Sequence, residues 1–265
     1  MPGTAPGARM PATESRSGLD GEALKLIAIF AMTVDHIAYA FVDNGTLLAI
    51  FMHAIGRITG PVMFYLAAEG YHHTRSVPRY ILRLAVFALI SFLPFQLFVY
   101  GRELPVRFNF LRLNVLYTIL LGVLAVWVRH EVRPMPLKLL LLGGLILLAA
   151  PGDWGTSGVL MILTFEFYYG AFPQQAFAYI LLVLLDMNVL HLFTGPTFSL
   201  LYEGTLDLTM WTYGAENLGL FLPLLLLRQY NGQRGRHSLG GKWLFYVYYP
   251  AHLIVLGLIR VAVGV

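Results

Sequence analysis

Residues 24–42 read LKLIAIFAMTVDHIAYAFV, an apolar run about as long as a helix needs to cross a bilayer. Near the middle of this run, Asp35 and His36 stand side by side. Ionisable side chains are costly in hydrocarbon, and they usually face the interior of a helical bundle or a polar pathway. The run therefore predicts a membrane-spanning helix that carries a functional site.

The composition places the whole chain in the same class. Hydrophobic residues make up 58% of the 265 residues, charged residues only 12%, and the mean hydropathy is +0.69. Soluble proteins average roughly 25% charged residues. We therefore expect an all-α, polytopic transmembrane bundle of about nine spans, with eight to ten as the range that the length allows. Cysteine is absent, which excludes disulfides, thiolate nucleophiles and cysteine-based metal sites.

The apolar runs divide the chain into a tail and one domain. Residues 1–20 are rich in Pro, Gly, Ala and Ser and predict a disordered tail, and residues 21–265 predict a single transmembrane domain that begins with Asp20 as helix N-cap. For 197–214, which contains Glu203 and Asp207, a tilted span, a re-entrant segment and an interfacial segment all stay open. The predicted spans are 24–43, 47–70, 79–100, 110–128, 137–150, 157–171, 174–193, 216–228 and 242–263.

Loop charges predict the orientation in the membrane. The loops at 72–79, 129–138 and 228–242 are basic, and basic loops face the cytosol. We therefore expect an integral membrane protein with a cytosolic N-terminus. Arg102 and Arg107 are the exception, because this orientation leaves them on the outer side. Since the basic residues fall in short loops, their excess indicates membrane topology and argues against nucleic acid as a partner.

Depth arithmetic brings polar residues from three spans together. At about 1.5 Å of rise per residue, Asp35 lies roughly 12 Å before the turn at 43–46 and Arg57 lies roughly 15 Å after it. By the same arithmetic, His252 lies about 15 Å inside the last span. We expect Asp35, His36, Arg57 and His252 to meet near the midplane, with Asp35 paired to Arg57. Glu69 and Arg83 are expected to meet at the cytosolic edge.

Helical phase predicts a polar path towards His36. Lys25 precedes His36 by three helical turns with roughly 20° of drift, so both lie on one stripe, and His53 shares a face with Arg57. Such a path suits a charged, elongated substrate. Structural alternatives stay open: Asp35 and Arg57 as a strut between helices, and Lys25 as a snorkelling anchor.

Motifs along the chain resemble the TraX family of integral membrane proteins. The resemblance runs in order from about residue 24 to 260, with departures at Ala38 and Phe92. The motifs that carry it are Leu24-Lys25-Leu26-Ile27-Ala28, Asp35-His36-Ile37, Gly56-Arg57-Ile58, Glu69-Gly70, Arg83-Leu84, Pro94-Phe95, Gly158-Val159-Leu160 and Tyr249-Pro250-Ala251-His252-Leu253.

The resemblance implies an acetyltransferase activity. The named member of the family is associated with N-terminal acetylation of pilin subunits in conjugation, and the family looks related to multi-span acyltransferases that use cytosolic coenzyme A. The expected partners are therefore the lipid bilayer, acetyl-CoA as co-substrate, and an acceptor that is a protein N-terminus or an envelope glycan or lipid. The family's aspartate-histidine motif, arginine and terminal histidine fall on Asp35-His36, Arg57 and His252.

Acyl transfer from a thioester needs a base, a group that stabilises an oxyanion and a site that excludes water. His36 is expected to act as general base or transient acyl carrier, with Asp35 and Arg57 beside it. No metal is expected, because the histidines lack the spacing of metal ligands. The expected substrate-binding residues are His53, Glu69, Tyr249 and His252, and the expected phosphate-binding residues are Lys25, Arg79, Arg83 and Lys242.

Two alternatives use the same residues. Ionisable side chains near the midplane are also typical of proton-coupled transporters, although no internal repeat is visible between the two halves of the chain. A purely structural membrane subunit is the third interpretation.

Overall fold

The computed structural model describes residues 17–186, 189, 214–235 and 243–264, and within them the fold is all-α. Two isolated bridges, Leu19 to Tyr230 and Leu113 to Gly152, are the only β-type pairing in these ranges. The helices are α1 (Gly21–Phe41), α2 (Leu47–Gly56), α3 (Thr59–His73), α4 (Val77–Ile90), α5 (Phe92–Tyr100), α6 (Leu104–Arg107), α7 (Val115–Glu131), α8 (Met135–Leu148), α9 (Gly155–Phe167), α10 (Phe172–Asp186), α11 (Leu222–Arg228) and α12 (Leu244–Val263).

The predicted N-cap of the first helix is confirmed. Asp20 Oδ1 accepts hydrogen bonds from the backbone N–H groups of Glu22 and Ala23, at 3.0 and 2.8 Å. These bonds satisfy two of the four N–H groups that a helix start leaves without an intrahelical partner. Leu19 N also donates to Gln229 O at 2.9 Å, so the start of α1 is tied to the segment that follows α11.

Proline interrupts the second and third membrane segments near their middles. Pro61 and Pro94 lack an N–H and crowd the carbonyl four residues earlier, which belongs to Arg57 and Ile90. The second membrane segment accordingly breaks after Gly56 and resumes as α3. The third membrane segment breaks at Ser91, between α4 and α5. Irregular backbone at membrane depth is tolerated where it lines a cavity or lies inside protein, and the break at Arg57 lies at a cavity.

Within the described residues, four stretches are long and apolar enough to cross a membrane by length and composition: 21–41, 47–73, 77–107 and 244–263. This makes the chain a membrane protein. The nine predicted spans are not confirmed. The helices α8, α9 and α10 are apolar but shorter, and the predicted span at 216–228 folds as a 3₁₀ helix, Ala215–Phe221, followed by the seven-residue α11. The open segment at 197–214 lies outside the described residues up to position 213.

The bundle packs around α3, α7 and α9, and small residues allow the close approach. A Cβ on Gly60 would overlap Trp154, and one on Gly122 would overlap Ile162. The helix α8 has no buried residue and lies on the outside of α7 and α9, as expected of a helix that faces lipid. On the other side of the bundle, α12 packs against α5 and α1. This arrangement brings α1, α2, α5 and α12 around one cavity.

Candidate functional site

A cavity of about 540 Å³ is lined by five of the residues that the sequence singled out: Asp35, His36, His53, Arg57 and Tyr249. Asn44 and Gly45 of the α1–α2 turn and Trp154 of the α8–α9 turn lie at its edge, so the cavity belongs to the end of the bundle that carries these turns. Its ionisable and tyrosine lining residues are Asp35, His36, Tyr39, His53, Arg57, Arg112, Asp153, Glu216 and Tyr249.

At the wall of this cavity, His36 of α1 and His252 of α12 share a hydrogen bond. His36 Nδ1 and His252 Nε2 are 2.7 Å apart. The two rings are nearly coplanar, at 5°, with centroids 5.0 Å apart, as a bond in the plane of both rings requires. The predicted convergence of these two residues from distant spans is confirmed.

The hydrogen bond from His252 to the backbone of Tyr248 determines the tautomers of both histidines. His252 Nδ1 lies 2.9 Å from the carbonyl oxygen of Tyr248, and a carbonyl can only accept, so Nδ1 carries the proton. In a neutral imidazole the other nitrogen is then an acceptor. His36 Nδ1–H therefore donates to His252 Nε2, and the lone pair of His36 stays on Nε2. A base with a fixed tautomer is what proton abstraction requires.

A second hydrogen bond between α1 and α12 lies one turn away. The Thr33 hydroxyl donates to Ile29 O at 2.8 Å, so its single proton is used. The Tyr248 hydroxyl, 2.7 Å from Thr33 Oγ1, must therefore be the donor in that contact. The Tyr248 ring also stacks on His252 at 5.1 Å. These contacts hold His252 in the orientation that accepts from His36.

Asp35 binds a histidine other than its neighbour. His53 Nδ1 donates to Asp35 Oδ1 at 2.8 Å, which joins α1 to α2. Gly56 allows this contact, because a Cβ there would overlap the Asp35 side chain. Adjacent side chains on a helix point in different directions, so Asp35 reaches His53 on α2 and does not orient the ring of His36.

The predicted pair between Asp35 and Arg57 was wrong. Arg57 donates through a terminal nitrogen to Glu216 Oε1 at 2.5 Å. Its Nε atom is buried and has no hydrogen-bond partner in the part of the chain that the structure describes. Glu216 was missed because it follows a stretch whose topology the sequence left open, 159 positions away from Arg57.

Asp153 is a further residue that sequence reasoning missed. It lies in the turn between α8 and α9 and opens towards the cavity. The pKa of its carboxyl is raised to about 6, first by desolvation and then by the charge of Asp35, while Arg112 and Arg57 act in the opposite direction. The turn is apolar on both sides in sequence, and no pattern linked it to the other cavity residues. The cavity thus holds a carboxyl whose charge changes in the weakly acidic range.

The residues expected to bind phosphate lie elsewhere. Lys25 and Arg83 line a second cavity of about 150 Å³, together with Arg234 and Glu69, and this cavity shares no lining residue with the first. The predicted continuous path from Lys25 to His36 was therefore wrong for the described residues. Arg79 is exposed in the first turn of α4 and lines neither cavity. Lys242 lies outside the described residues.

Glu69 and Arg83 do not form the predicted clasp. The Glu69 carboxylate interacts with the hydroxyls of Tyr65, Tyr169 and Tyr230, and its Oε2 lies 3.5 Å from His73 Nδ1. The Arg83 guanidinium lies between aromatic rings, 5.4 Å from the centre of Tyr80 and 5.3 Å from that of Tyr246. Within the described residues each group therefore has other partners, because the tyrosines reach Glu69 from three separate segments.

A third polar cluster surrounds Glu166, near the ends of α3, α7 and α9. Glu166 is 3% exposed; Arg129 donates to one carboxylate oxygen at 2.5 Å, and His130 Nε2 lies 2.6 Å from the other. His72 Nε2 lies 3.6 Å from that second oxygen. The potential ligand atoms of His72, His130 and Glu166 lie within 4.8 Å of one another, a grouping that the sequence spacing did not predict. Arg129 neutralises the carboxylate, so the cluster is complete as an ion-pair network.

Comparison with known proteins gives the family. A family model described as TraX protein matches residues 20–260. The chain belongs to the TraX family. A relative from Dichelobacter nodosus, described as a probable fimbrial assembly protein FimC of serogroup H1, is 32% identical to it over 237 residues, which cover 88% of this chain and 92% of the relative. No solved structure matches.

Membership of the TraX family confirms the resemblance read from the motifs. The match of the TraX model begins at Asp20, the cap of α1, and ends at Arg260 in α12. It therefore spans both halves of the His36–His252 pair, and every other residue that lines the larger cavity. In this TraX protein the site is built from segments at the two ends of the matched region.

Proposed function

We propose that this TraX protein is an integral membrane acetyltransferase that moves an acetyl group from acetyl-CoA to an amine or hydroxyl. The observation that supports this best is the His36–His252 pair. Its geometry leaves a basic nitrogen on His36 at the wall of a cavity of about 540 Å³. A histidine with a set tautomer beside a substrate-sized space matches the base that acyl transfer needs.

The proposed reaction uses that nitrogen directly. His36 Nε2 removes the proton from the acceptor as the acceptor's nitrogen or oxygen attacks the acetyl carbonyl. The new bond to the acceptor forms, the carbon–sulfur bond of the thioester breaks, and the departing thiolate takes up the proton from His36 Nε2, which gives free coenzyme A and restores the base. The donation of Nδ1–H to His252 supports the positive charge that His36 carries between these steps.

Arg57 is the residue that we assign to the developing oxyanion. Its Nε–H is buried without a partner among the described residues, while Glu216 holds the other end of the guanidinium. A hydrogen-bond donor that is already in place binds the oxyanion as its charge develops. It lowers the activation barrier of acyl transfer because the protein does not have to reorganise in the transition state. Glu216 is in this proposal the residue that positions Arg57.

We propose that the donor binds with its phosphates in the smaller cavity; because the two cavities share no lining residue in the structure, its acetyl group reaches His36 only if they join on binding. Lys25, Arg83 and Arg234 give that cavity cationic groups suited to the phosphates of the coenzyme. Lys25 and His36 are eleven residues apart on α1, roughly 16 Å along the helix. A donor with a long, flexible pantetheine arm fits a site whose cationic and basic groups are separated in this way.

For the acceptor, the name of the relative suggests the first candidate. The Dichelobacter nodosus protein is described as a fimbrial assembly protein, and we propose that the acceptor amine belongs to a fimbrial or pilin subunit. We place the enzyme in the bacterial inner membrane with a cytosolic N-terminus, from the distribution of its basic loops.

The test measures free thiol. Purified protein in nanodiscs receives acetyl-labelled coenzyme A and a peptide that carries a pilin-type N-terminus. We expect thiol release and transfer of the label by the wild type, and loss of both in His36→Ala. His130→Gln, a histidine substitution outside both cavities, is the matched control and should retain activity. Equal thiol release by wild type and His36→Ala would end the proposal.

A proton-coupled carrier is the second candidate, and one observation favours it. The cavity groups three titratable pairs, His36 with His252, Asp35 with His53, and Arg57 with Glu216, as carriers do near the midplane. Proteoliposomes with an imposed pH gradient separate the two candidates. A carrier accumulates its substrate in the absence of acetyl-CoA, whereas the transferase consumes acetyl-CoA in the absence of any gradient.

A further inference from the structure

Four arginines line a polar pocket of about 350 Å³ beside the larger cavity. We call it the arginine pocket; its arginines are Arg102, Arg107, Arg112 and Arg260. Glu103 is the one acidic residue that lines it in the described part of the chain, and it pairs with Arg107 at 3.1 Å. Three guanidinium charges are thus left without a carboxylate inside the pocket.

Backbone carbonyls hold two of these guanidiniums in place. Arg102 Nε donates to Val261 O at 2.7 Å, and Arg260 donates to Phe98 O at 2.6 Å and to Val99 O at 3.0 Å. These acceptors carry no net charge, so they position the arginines, and among the described residues no carboxylate that lines the pocket pairs with Arg102 or Arg260. Arg260 Nε is buried and lacks a hydrogen-bond partner in the described residues. A strut between α5 and α12 would account for the carbonyl contacts and leave the charge unexplained.

The surroundings of the arginine pocket are apolar and exposed. Val106, Phe110 and Leu111 are 90%, 74% and 73% exposed, and Val263 is 60% exposed. Cationic side chains next to exposed apolar ones are the arrangement that suits a membrane interface, where the chains enter the bilayer and the guanidiniums stay at the level of the headgroups. Two of these arginines, Arg102 and Arg107, are the exception to the rule that places basic loops on the cytosolic side. A bound anionic ligand would explain their position, because its negative charge would balance theirs.

We propose that the arginine pocket binds the phosphate of an anionic phospholipid. Guanidinium groups match phosphate oxygens in shape and charge, and the exposed apolar residues would contact the acyl chains. The pocket shares Tyr39, Val99 and Arg112 with the larger cavity. The bound headgroup therefore lies at the mouth of the cavity that contains His36. This binding does not depend on the proposed acetyl transfer.

The test titrates detergent-purified protein with phosphatidylglycerol, phosphatidylcholine, glycerol phosphate and inorganic phosphate, each scored by thermal shift and by native mass spectrometry. The test variant is Arg102→Gln with Arg112→Gln, which keeps the carbonyl contacts of Arg260. The control is Arg75→Gln, an exposed arginine that lines neither the arginine pocket nor the larger cavity. We expect the double variant to bind phosphatidylglycerol at least about tenfold more weakly, since charge-assisted hydrogen bonds are lost, and the control to bind as the wild type does.

Three outcomes would overturn the proposal. One is equal affinity of wild type and double variant for phosphatidylglycerol. Another is equal affinity of the wild type for phosphatidylglycerol and phosphatidylcholine. The third is inorganic phosphate or glycerol phosphate giving the same shift as the lipid at the same concentration, which would identify a site for free phosphate. Because every readout is binding, these outcomes are separate from failure of the transferase assay.

Discussion

His36 Nδ1 donates to His252 Nε2 across 2.7 Å, and this bond joins the first helix of the bundle to the last. The bond fixes which nitrogen of His36 is basic, because His252 is itself held by the carbonyl of Tyr248. The reactivity of a residue in α1 thus depends on a contact made in α12. This dependence can be measured.

The first prediction concerns His252. Replacing it by Ala removes the acceptor that holds His36 in one tautomer, and we expect kcat to fall by about 10²-fold, within the range of general-base effects. His252→Gln offers an amide oxygen in its place and should recover part of the loss. The measurement is kcat and KM for acetyl transfer, with KM little changed. Unchanged kcat in His252→Ala would show that the pair has no role in proton transfer.

The second prediction tests whether Arg57 is a donor to the oxyanion or only a structural strut between helices. Arg57→Gln removes the buried Nε donor and should lower kcat by about 10²-fold, as loss of an oxyanion donor does. Glu216→Gln keeps a hydrogen-bond acceptor for Arg57, and the pair is partly exposed, so we expect a loss of about 1 kcal/mol of unfolding free energy and a smaller loss of kcat. Both variants are compared by steady-state kinetics and by thermal unfolding in detergent. Equal losses of kcat would make Arg57 a strut.

The third prediction uses two helical glycines. A Cβ on Gly56 would overlap the Asp35 side chain, whereas a Cβ on Gly143 meets nothing within 4 Å. Gly56→Ala should therefore cost about 1–3 kcal/mol of unfolding free energy through overpacking. Gly143→Ala, the matched control, should be neutral or stabilise by up to about 1 kcal/mol. Equal melting temperatures for the two variants would contradict the close approach of α1 and α2.

The fourth prediction concerns pH. The pKa of Asp153 is raised to about 6 in the folded protein, against about 3.9 for an unfolded chain, so the folded state binds this proton more tightly. Its contribution to stability is thus lost as the pH rises from about 4 to 6, and it is level above that. Asp153→Asn should be more stable than wild type at about pH 7 and equal to it at about pH 4, by about 1 kcal/mol or less because solvent in the cavity screens the charge. A pH-independent difference in melting temperature would refute this.

Local features of the fold were predictable where their causes are local. Asp20 caps α1 because its own carboxylate reaches the N–H groups of Glu22 and Ala23. The sequence also indicated that His36 and His252 lie at one depth, since helical rise is constant. The nine spans were less predictable, because an apolar run does not state whether it forms one long helix, a short one or, as at Ala215–Phe221, a 3₁₀ helix.

The pairing of the charged residues depended on features outside any one span. Asp35 and Arg57 occupy the right depth, yet each binds another residue, and Glu216 reaches Arg57 from 159 positions away. The depth of a residue in the membrane gives its position along the membrane normal and not its position within the plane of the membrane. The rotation and tilt of each helix, and the course of the segment before Glu216, decide which side chains touch.

By itself the sequence determined the class of the protein and which of its residues need partners inside the bundle. Apolar runs must leave water, and Asp35, His36, Arg57 and His252 are too costly in hydrocarbon to be there without partners. The tertiary structure alone decided who those partners are, and that Lys25 and His36 line separate cavities. The physical reason is that burial is a property of each segment, whereas a hydrogen bond requires two segments to be placed to within a few tenths of an ångström.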